Sequence, residues 1–298
     1  FMITRAVLDT LGIGLEPVHS YMYRAMPTLE ELERWVLDEL GGALDPARVV
    51  RANAIADGSP PDEARLELLG RIDKVPPVLS ADDLRSWERD GYVIVRGAVS
   101  PEVCRRLEKA IWGYLGADPD HPDSWYRLEL PQGVMVPVFR APGIEEIHAS
   151  PRIHKAFAQL AGTADLVMTA DRCGFNPPIR DITEFRGPKL HLDLDSFDPP
   201  VVPYLQGILY LTETSADQGA FRCVPGFHHR IDAWLRELPT GANPSVQDLE
   251  VLGPQPVAGQ AGDLIIWSSA LPHGPGPNFA QRPRIVHYLT MYPTPAPA

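Results

Sequence analysis

Residues 204–228, which read YLQGILYLTETSADQGAFRCVPGFH, decide the fold class of this chain. Within them, two short runs at 206–212 and 220–224 combine apolar, β-branched and aromatic residues and therefore predict β-strands. Turn-forming residues separate the two runs and end the second: Asp217-Gln218-Gly219 and Pro225-Gly226. Short strands bounded by such turns are typical of β-sandwiches and β-barrels.

The same pattern extends from about residue 133 to the C-terminus. It predicts five further strands, at residues 134–139, 165–173, 189–193, 263–267 and 284–292, and a single helix at 230–238. Proline accounts for 32 of the 298 residues, which limits helix length and favours rigid loops. We therefore expect a mainly β fold of the jelly-roll type with helices packed on its outside.

The N-terminal part of the chain has the sequence pattern of helices instead of short strands. Residues 1–79 are predicted to form a helical extension packed on the core domain, which we assign to residues 80–298. Thr28 and Glu31 have capping-box spacing ahead of an apolar helical period, and a second, weaker helix is predicted at 62–69. The core domain then opens with a helix, a strand and a second helix, predicted at 81–89, 91–97 and 101–114.

Composition excludes several classes of partner. With 27 basic and 39 acidic residues, the net charge of −12 disfavours nucleic acid and anionic lipid, which would be repelled. The three cysteines form no CxxC motif, so neither a disulfide framework nor a zinc ribbon is expected. No apolar run approaches the roughly 18 residues of a membrane span, and no signal-peptide core is visible. These features predict a soluble, cytoplasmic protein that acts on a small molecule.

Three side chains are candidate metal ligands. His191 and Asp193 lie two residues apart on a predicted strand, so their side chains should point to the same face. His273 follows the strand predicted at 263–267, which in a jelly roll can close over the first. Two imidazoles and one carboxylate on one side of a metal leave positions open, as in non-haem Fe(II) oxygenases.

A candidate co-substrate residue follows at Arg284, which opens the last predicted strand. If 2-oxoglutarate chelated the iron through its keto oxygen and C1 carboxylate, its C5 carboxylate would need a cation deeper in the pocket. A guanidinium can hold a carboxylate in a bidentate manner, which a lysine cannot. Arg282 is the neighbouring competitor for this role.

At these positions the sequence resembles the phytanoyl-CoA dioxygenase family. The resemblance covers residues 79–295 and rests on marks that occur in order: LSADDL and DGYVIVR in 79–96, His191-x-Asp193, GAFRCVPGFH in 219–228, Ala261-Gly262-Asp263, His273-Gly274, Asn278 and Arg284. It implies a double-stranded β-helix, cupin-like, that binds Fe(II) and 2-oxoglutarate. It further implies that His191, Asp193 and His273 ligate the metal and that Arg284 binds the C5 carboxylate.

Two positions depart from the family pattern. Phe227 stands where a small residue is usual, and Pro275 stands where many members have a hydroxyl that assists the C5 carboxylate. Around the predicted pocket, Gln206, Arg172 and Asn176 are candidates for the C1 carboxylate or the substrate, with structural hydrogen bonding as the alternative for each. Arginines around the predicted mouth could bind a carboxylate of the substrate: Arg172, Arg180, Arg186 and Arg222.

The resemblance implies an oxygenase that takes O₂ and 2-oxoglutarate and releases succinate and CO₂. Hydroxylation of an aliphatic C–H in a small metabolite or natural-product intermediate is the leading hypothesis, with desaturation and cyclisation open. Halogenating members replace the carboxylate ligand, so Asp193 argues against that reaction. Two alternatives remain at this point: a cupin-like isomerase or hydrolase without 2-oxoglutarate, and a non-catalytic binding protein on the same fold.

Overall fold

The computed structural model of the chain describes residues 2–127, 129–179 and 185–295. Within these ranges it contains ten α-helices: α1 (Met2–Leu11), α2 (Leu15–Ala25), α3 (Leu29–Glu39), α4 (Pro46–Asp57), α5 (Glu63–Lys74), α6 (Ala81–Asp90), α7 (Pro101–Leu115), α8 (Ile144–His148), α9 (Pro151–Ala161) and α10 (Ile231–Glu237). The first five form the N-terminal extension. The predicted capping box of Thr28 and Glu31 is present at the start of α3, and Ser80 and Asp83 form a second one at the start of α6.

The strands are short and begin after α6. In the same ranges they are β1 (Tyr92–Val95), β2 (Met135–Val136), β3 (Leu166–Met168), β4 (Cys173–Asn176), β5 (Leu205–Tyr210), β6 (Phe221–Cys223), β7 (Gln255–Val257), β8 (Leu264–Ser268), β9 (His273–Pro275), β10 (Arg284–Tyr288) and β11 (Met291–Pro293). They form a six-stranded sheet in the order β1-β8-β5-β10-β4-β2, a three-stranded sheet β7-β6-β9 and a pair β11-β3. Every pairing between these strands is antiparallel.

Alternation along the six-stranded sheet divides the apolar core into two layers. Leu209, Leu264 and Ile285 point to the face covered by α7, α8 and α9. Their strand neighbours point to the opposite face and pack with the three-stranded sheet: Ile208, Tyr210, Ile265, Trp267 and Val286, against Phe221, Cys223 and Val257. The second layer therefore lies between two antiparallel sheets, and one end of it is a cavity.

The N-terminal extension packs on the rest of the chain through α1, which contacts β3, and through α5, which contacts α9. The helix α1 also packs on α4, and its Ala6 is buried with Val167 and Tyr292. From the same extension, Arg51 on α4 and Arg65 on α5 both donate hydrogen bonds to the carboxylate of Asp165, at 2.7 and 2.9 Å. In contrast, α3 has no buried residue.

Several predicted elements differ from the observed ones. The prediction of a single helix after residue 133 is wrong, since α8 and α9 also lie there, and α1, α2 and α4 are not predicted at all. The strand predicted at 134–139 is reduced to β2 because Pro137 has no amide hydrogen to continue the ladder. The strands predicted at 165–173 and 284–292 each divide between two sheets. More of the described residues are helical than extended, both in the whole chain and from residue 80 onward, so the antiparallel sheets form the centre of the fold but not most of its residues.

Two other sequence-based expectations concern cysteines and membranes. Cys104, Cys173 and Cys223 are all free and buried, as the lack of a CxxC motif predicts. Among the described residues, no helix combines the length and apolarity needed to cross a bilayer.

Candidate metal centre

The cavity between the two sheets collects most of the predicted site residues. Its volume is about 510 Å³, and its walls come from both sheets, the segment before β5 and the segment before β4. Gln206 on β5, Trp267 on β8 and Arg284 on β10 contribute from the six-stranded sheet, and His273 on β9 contributes from the other. Strand alternation places Arg284 on the same face as Val286 and Tyr288, which directs its side chain inward.

The three candidate metal ligands converge in this cavity. One ligand atom from each of His191, Asp193 and His273 lies within 4.8 Å of the others. The Nε2 atoms of His191 and His273 are 3.7 and 3.5 Å from the two carboxylate oxygens of Asp193. Two backbone hydrogen bonds join the two histidines. The amide of each donates to the carbonyl oxygen of the other, with N–O distances of 2.9 Å.

Backbone carbonyls orient both imidazoles. Nδ1 of His191 is 2.8 Å from the carbonyl oxygen of Lys189, and Nδ1 of His273 is 3.0 Å from that of Leu271. A carbonyl oxygen can only accept, so each Nδ1 carries a hydrogen and each Nε2 keeps a lone pair. Both lone pairs are therefore available on the side of Asp193, as metal-binding histidines require.

Electrostatics keep this group in its ligating protonation state. Burial alone would raise the pKa of Asp193, but the neighbouring imidazoles of His273 and His191 and a hydrogen bond from Gln206 hold it well below its usual range. Burial and the neighbouring His273 lower the pKa of His191. An ionised carboxylate beside a neutral imidazole is the form in which such side chains bind a divalent cation.

Gln206 supports the carboxylate directly. Its Nε2 donates to Oδ2 of Asp193 at 2.7 Å, while its Oε1 is buried and has no hydrogen-bond partner among the described residues. A buried acceptor left without a donor is costly and marks a place where a further group can bind. Its predicted contact with the C1 carboxylate remains a prediction.

Arg284 is the most unusual side chain in the cavity. It is only 1% exposed, yet Nε and one terminal nitrogen have no hydrogen-bond partner among the described residues. A buried guanidinium without a carboxylate is strongly unfavourable, so the site is suited to an anionic ligand. The exposed competitor, Arg282, does not line the cavity.

The expectation that His191 and Asp193 lie on a strand is wrong. Of the predicted strand 189–193, only His191 pairs, through an isolated bridge to His273. Its neighbours form no ladder with β9, whose other edge pairs with β6. The two side chains still converge, since the bridge and Gln206 fix each of them separately.

The remaining predicted residues separate into two groups. Arg172 lines the cavity. Asn176 and Arg222 do not: Asn176 is buried and donates to the carbonyl of Gly276, and Arg222 forms a bidentate pair with Glu250. Arg186 lies 3.6 Å from Glu129, and Arg180 is outside the described residues.

Other lining residues are absent from the sequence-based prediction. Trp267 and Tyr288 alternate with core residues on β8 and β10, and that alternation could have identified them as inward-facing. Asp171, which precedes Arg172, carried no such signal because it lies between β3 and β4.

Comparisons with known proteins agree with this geometry. The family model for phytanoyl-CoA dioxygenase (PhyH) matches residues 87–286. A Dictyostelium discoideum protein named "putative phytanoyl-CoA dioxygenase" is 20% identical over 258 residues, which cover 70% of this chain and 74% of that protein.

Two solved structures have a similar fold. AviO1 from Streptomyces viridochromogenes Tue57 is 18% identical with a TM-score of 0.50, over 75% of this chain and 99% of that one. HygX from Streptomyces hygroscopicus, solved with nickel and 2-oxoglutarate bound, is 17% identical with a TM-score of 0.51, over 73% and 88%.

The residues present fit the metal and co-substrate of this family. Two imidazoles and one carboxylate on one side suit Fe(II) with positions left open, and the unpartnered guanidinium of Arg284 suits a dicarboxylate. The family match spans more than half of the chain and includes all four of these residues. The chain therefore belongs to the phytanoyl-CoA dioxygenase family and is a non-haem Fe(II)- and 2-oxoglutarate-dependent oxygenase.

Proposed function

We propose that this protein hydroxylates an aliphatic C–H bond of a small metabolite or natural-product intermediate, with conversion of 2-oxoglutarate to succinate and CO₂. The observation that carries the proposal is the position of buried Arg284, two of whose nitrogens have no hydrogen-bond partner among the described residues, in the same cavity as the triad of His191, Asp193 and His273. We also infer that the two facing antiparallel sheets form a double-stranded β-helix, with residues 80–298 as the oxygenase domain and 1–79 as its extension.

Each residue has a defined task in this proposal. His191, Asp193 and His273 hold Fe(II), which supplies the activation of O₂ when bound. Gln206 orients the carboxylate of Asp193 by its hydrogen bond. Arg284 binds the C5 carboxylate of 2-oxoglutarate and thereby fixes the co-substrate relative to the metal. The buried walls of the cavity exclude water from the reacting groups.

The cavity favours a small-molecule substrate. Its volume of about 510 Å³ lies in the usual range for small-ligand sites. The intact carboxylate at Asp193 is consistent with oxygen insertion. The alternative of a metal-dependent isomerase or hydrolase gives Arg284 no ligand, and membership of the family decides against it.

The test combines metal binding with product formation. Asp193→Ala should weaken Fe(II) binding by at least about a hundredfold, more than the tenfold to hundredfold typical of outer-shell changes, and abolish succinate release. Asp195→Ala, two residues further on and exposed, is the matched control and should retain both. Succinate release that is independent of Fe(II) in the wild type, or unchanged in Asp193→Ala, would contradict the proposal.

A further inference from the structure

A second cavity adjoins the metal centre. It has a volume of about 500 Å³ and is lined by α1, α2 and residues 169–172. Asp171 and Arg172 line both this outer cavity and the metal cavity, so they form the partition between them. The N-terminal extension therefore supplies the far wall of a cavity that meets the metal cavity at Asp171 and Arg172.

At the partition two carboxylates, those of Asp171 and Glu16, share the single guanidinium of Arg172. A terminal nitrogen of Arg172 is 2.5 Å from the carboxylate of Glu16 on α2, so the charge of Arg172 is compensated by the extension. Asp171 accepts one hydrogen bond, from the backbone amide of Arg172, and its carboxylate is 3.8 Å from Nε of the same residue. No other hydrogen bond to the Asp171 carboxylate occurs among the described residues.

Other arginines are paired with carboxylates other than Asp171 or are exposed to solvent. Arg5 lies 3.5 Å from Asp9, and Arg222, which the sequence suggests as a carboxylate contact, is held by Glu250. Arg24 lines the outer cavity but is exposed at its rim, where water and salt screen its charge. Burial raises the pKa of Asp171, although the amide and charge of Arg172 and the charge of Arg5 act in the opposite direction.

These contacts lead to a proposal that rests on the function proposed above. We propose that the substrate extends from the metal cavity into the outer cavity, and that Asp171 binds an ammonium group of that substrate. A carboxylate in a confined site, with a single backbone donor, gains most from a cationic hydrogen-bond donor. Glu16 acts as a positioning residue, because it binds Arg172 at 2.5 Å and leaves Asp171 only the longer contact of 3.8 Å with that guanidinium.

The experiment measures whether the protein binds charged amines more tightly than their uncharged N-acetyl derivatives. Full-length protein with Fe(II) and 2-oxoglutarate is titrated anaerobically, by calorimetry, with amino sugars and amino acids, each beside its N-acetyl derivative. Acetylation removes the positive charge and keeps the rest of the molecule. We expect at least one amine to bind about tenfold or more tightly than its acetylated partner, as a charged hydrogen bond would give.

Three variants connect that preference to Asp171. Asp171→Asn should abolish the preference, while the exposed Asp120→Asn is the matched control and should retain it. Glu16→Gln should reduce amine affinity severalfold because the freed Arg172 can then pair with Asp171. Arg172→Gln should leave amine affinity unchanged or increase it. Circular dichroism confirms that each variant is folded.

Opposite results overturn the proposal. Equal binding of amines and their acetyl derivatives by the wild type, no amine binding, or a preference that survives in Asp171→Asn each contradict it. Should Asp171→Asn not fold, an unchanged amine affinity in Glu16→Gln contradicts it instead. Failure of the proposed function is read separately, as the absence of Fe(II)-dependent succinate release from the wild type.

Discussion

Arginine is buried in two regions of this protein, and the two regions treat its charge differently. Where the extension meets the core domain, the side chains of Arg51 and Arg65 are only 11% and 12% exposed, and both bond to Asp165. In the cavity, Arg284 is buried further but lacks partners for two of its nitrogens among the described residues. Burial with carboxylate partners marks a structural contact, whereas burial without them marks a binding site.

The largest expected effect is at the unpartnered arginine. Arg284→Met should weaken 2-oxoglutarate binding by at least about a hundredfold, because a buried charge pair is lost. The ligand-free variant should be as stable as the wild type or more so, since an uncompensated buried charge is removed. Calorimetric titration and chemical denaturation measure the two effects. Arg282→Met, exposed and two residues earlier, is the control. A ligand-free variant much less stable than the wild type would show that Arg284 is structural.

At the partnered arginines, Arg51 and Arg65, we expect a loss of stability without a loss of 2-oxoglutarate binding. Asp165→Asn leaves Arg51 and Arg65 buried with no carboxylate, and should lower the free energy of unfolding by about 3 kcal/mol, the low end for a buried pair because Asp165 is partly exposed. Binding of 2-oxoglutarate should not change. The exposed pair of Glu30 and Arg34 is the control, since Glu30→Gln should have no measurable effect. Denaturation in urea checks both variants, and equal stabilities would remove the distinction between the two regions.

A pair of histidines, of which His287 is fully and His148 partly buried, extends the comparison to groups that are neutral in the native protein. His148 and His287 lie 3.3 Å apart between their Nε2 atoms, and burial, followed by the charge of a neighbour, lowers the pKa of both. The unfolded chain therefore binds protons that the native protein does not, so stability should fall as the pH drops below about 6.5. We expect a loss of about 2 kcal/mol per histidine between pH 6.5 and 5.

Two variants test the origin of this pH dependence. His148→Gln should be less stable at neutral pH but should lose less stability on acidification than the wild type. His121 is mostly exposed, so His121→Gln should keep the wild-type slope. Denaturation curves collected at several pH values give the slopes. A wild-type stability that is flat between pH 6.5 and 5 would contradict the prediction.

The smallest expected effect compares one helix cap in each region. Ser100 caps α7, which buries six residues in the core, whereas Thr28 caps α3, which buries none. Ser100→Ala should lower the free energy of unfolding by about 1 kcal/mol. Thr28→Ala should leave the unfolding midpoint unchanged, because α3 can fray without opening the core. Equal shifts in the two midpoints would mean that α3 unfolds together with the core domain.

The sequence predicts local structure best where strong stop and start signals occur. The helix, strand and helix at α6, β1 and α7 are confirmed almost to the residue, because Ser80, Gly91 and Ser100-Pro101 mark their ends. The same kind of signal precedes α9 at Ser150-Pro151, so that helix could have been predicted. The helix α1 has no acidic residue in its first turn and no basic residue in its last, and its packing on α4 and β3 is visible only in three dimensions.

For the candidate site as well, some features could be predicted from the sequence and others could not. The residue types of His191, Asp193, His273 and Arg284 carry their chemistry in the sequence, and the structure brings all four to one cavity. The contacts between distant parts of the chain could not be predicted. Arg172 meets Glu16, and Arg222 meets Glu250, only because the extension and a distant loop fold against them.

The burial of the three cysteines has a consequence for a protein that handles oxygen. Burial raises the pKa of Cys104 to about 11 and of Cys223 to about 12, and it raises that of Cys173 as well. All three thiols therefore stay protonated at neutral pH, and oxidants react with the thiolate form. Cys223 is opposite His273 in the three-stranded sheet, so this protection reaches the strand beside the metal ligands. The chain should therefore tolerate repeated turnover in air without sulfenic acid formation at its own cysteines.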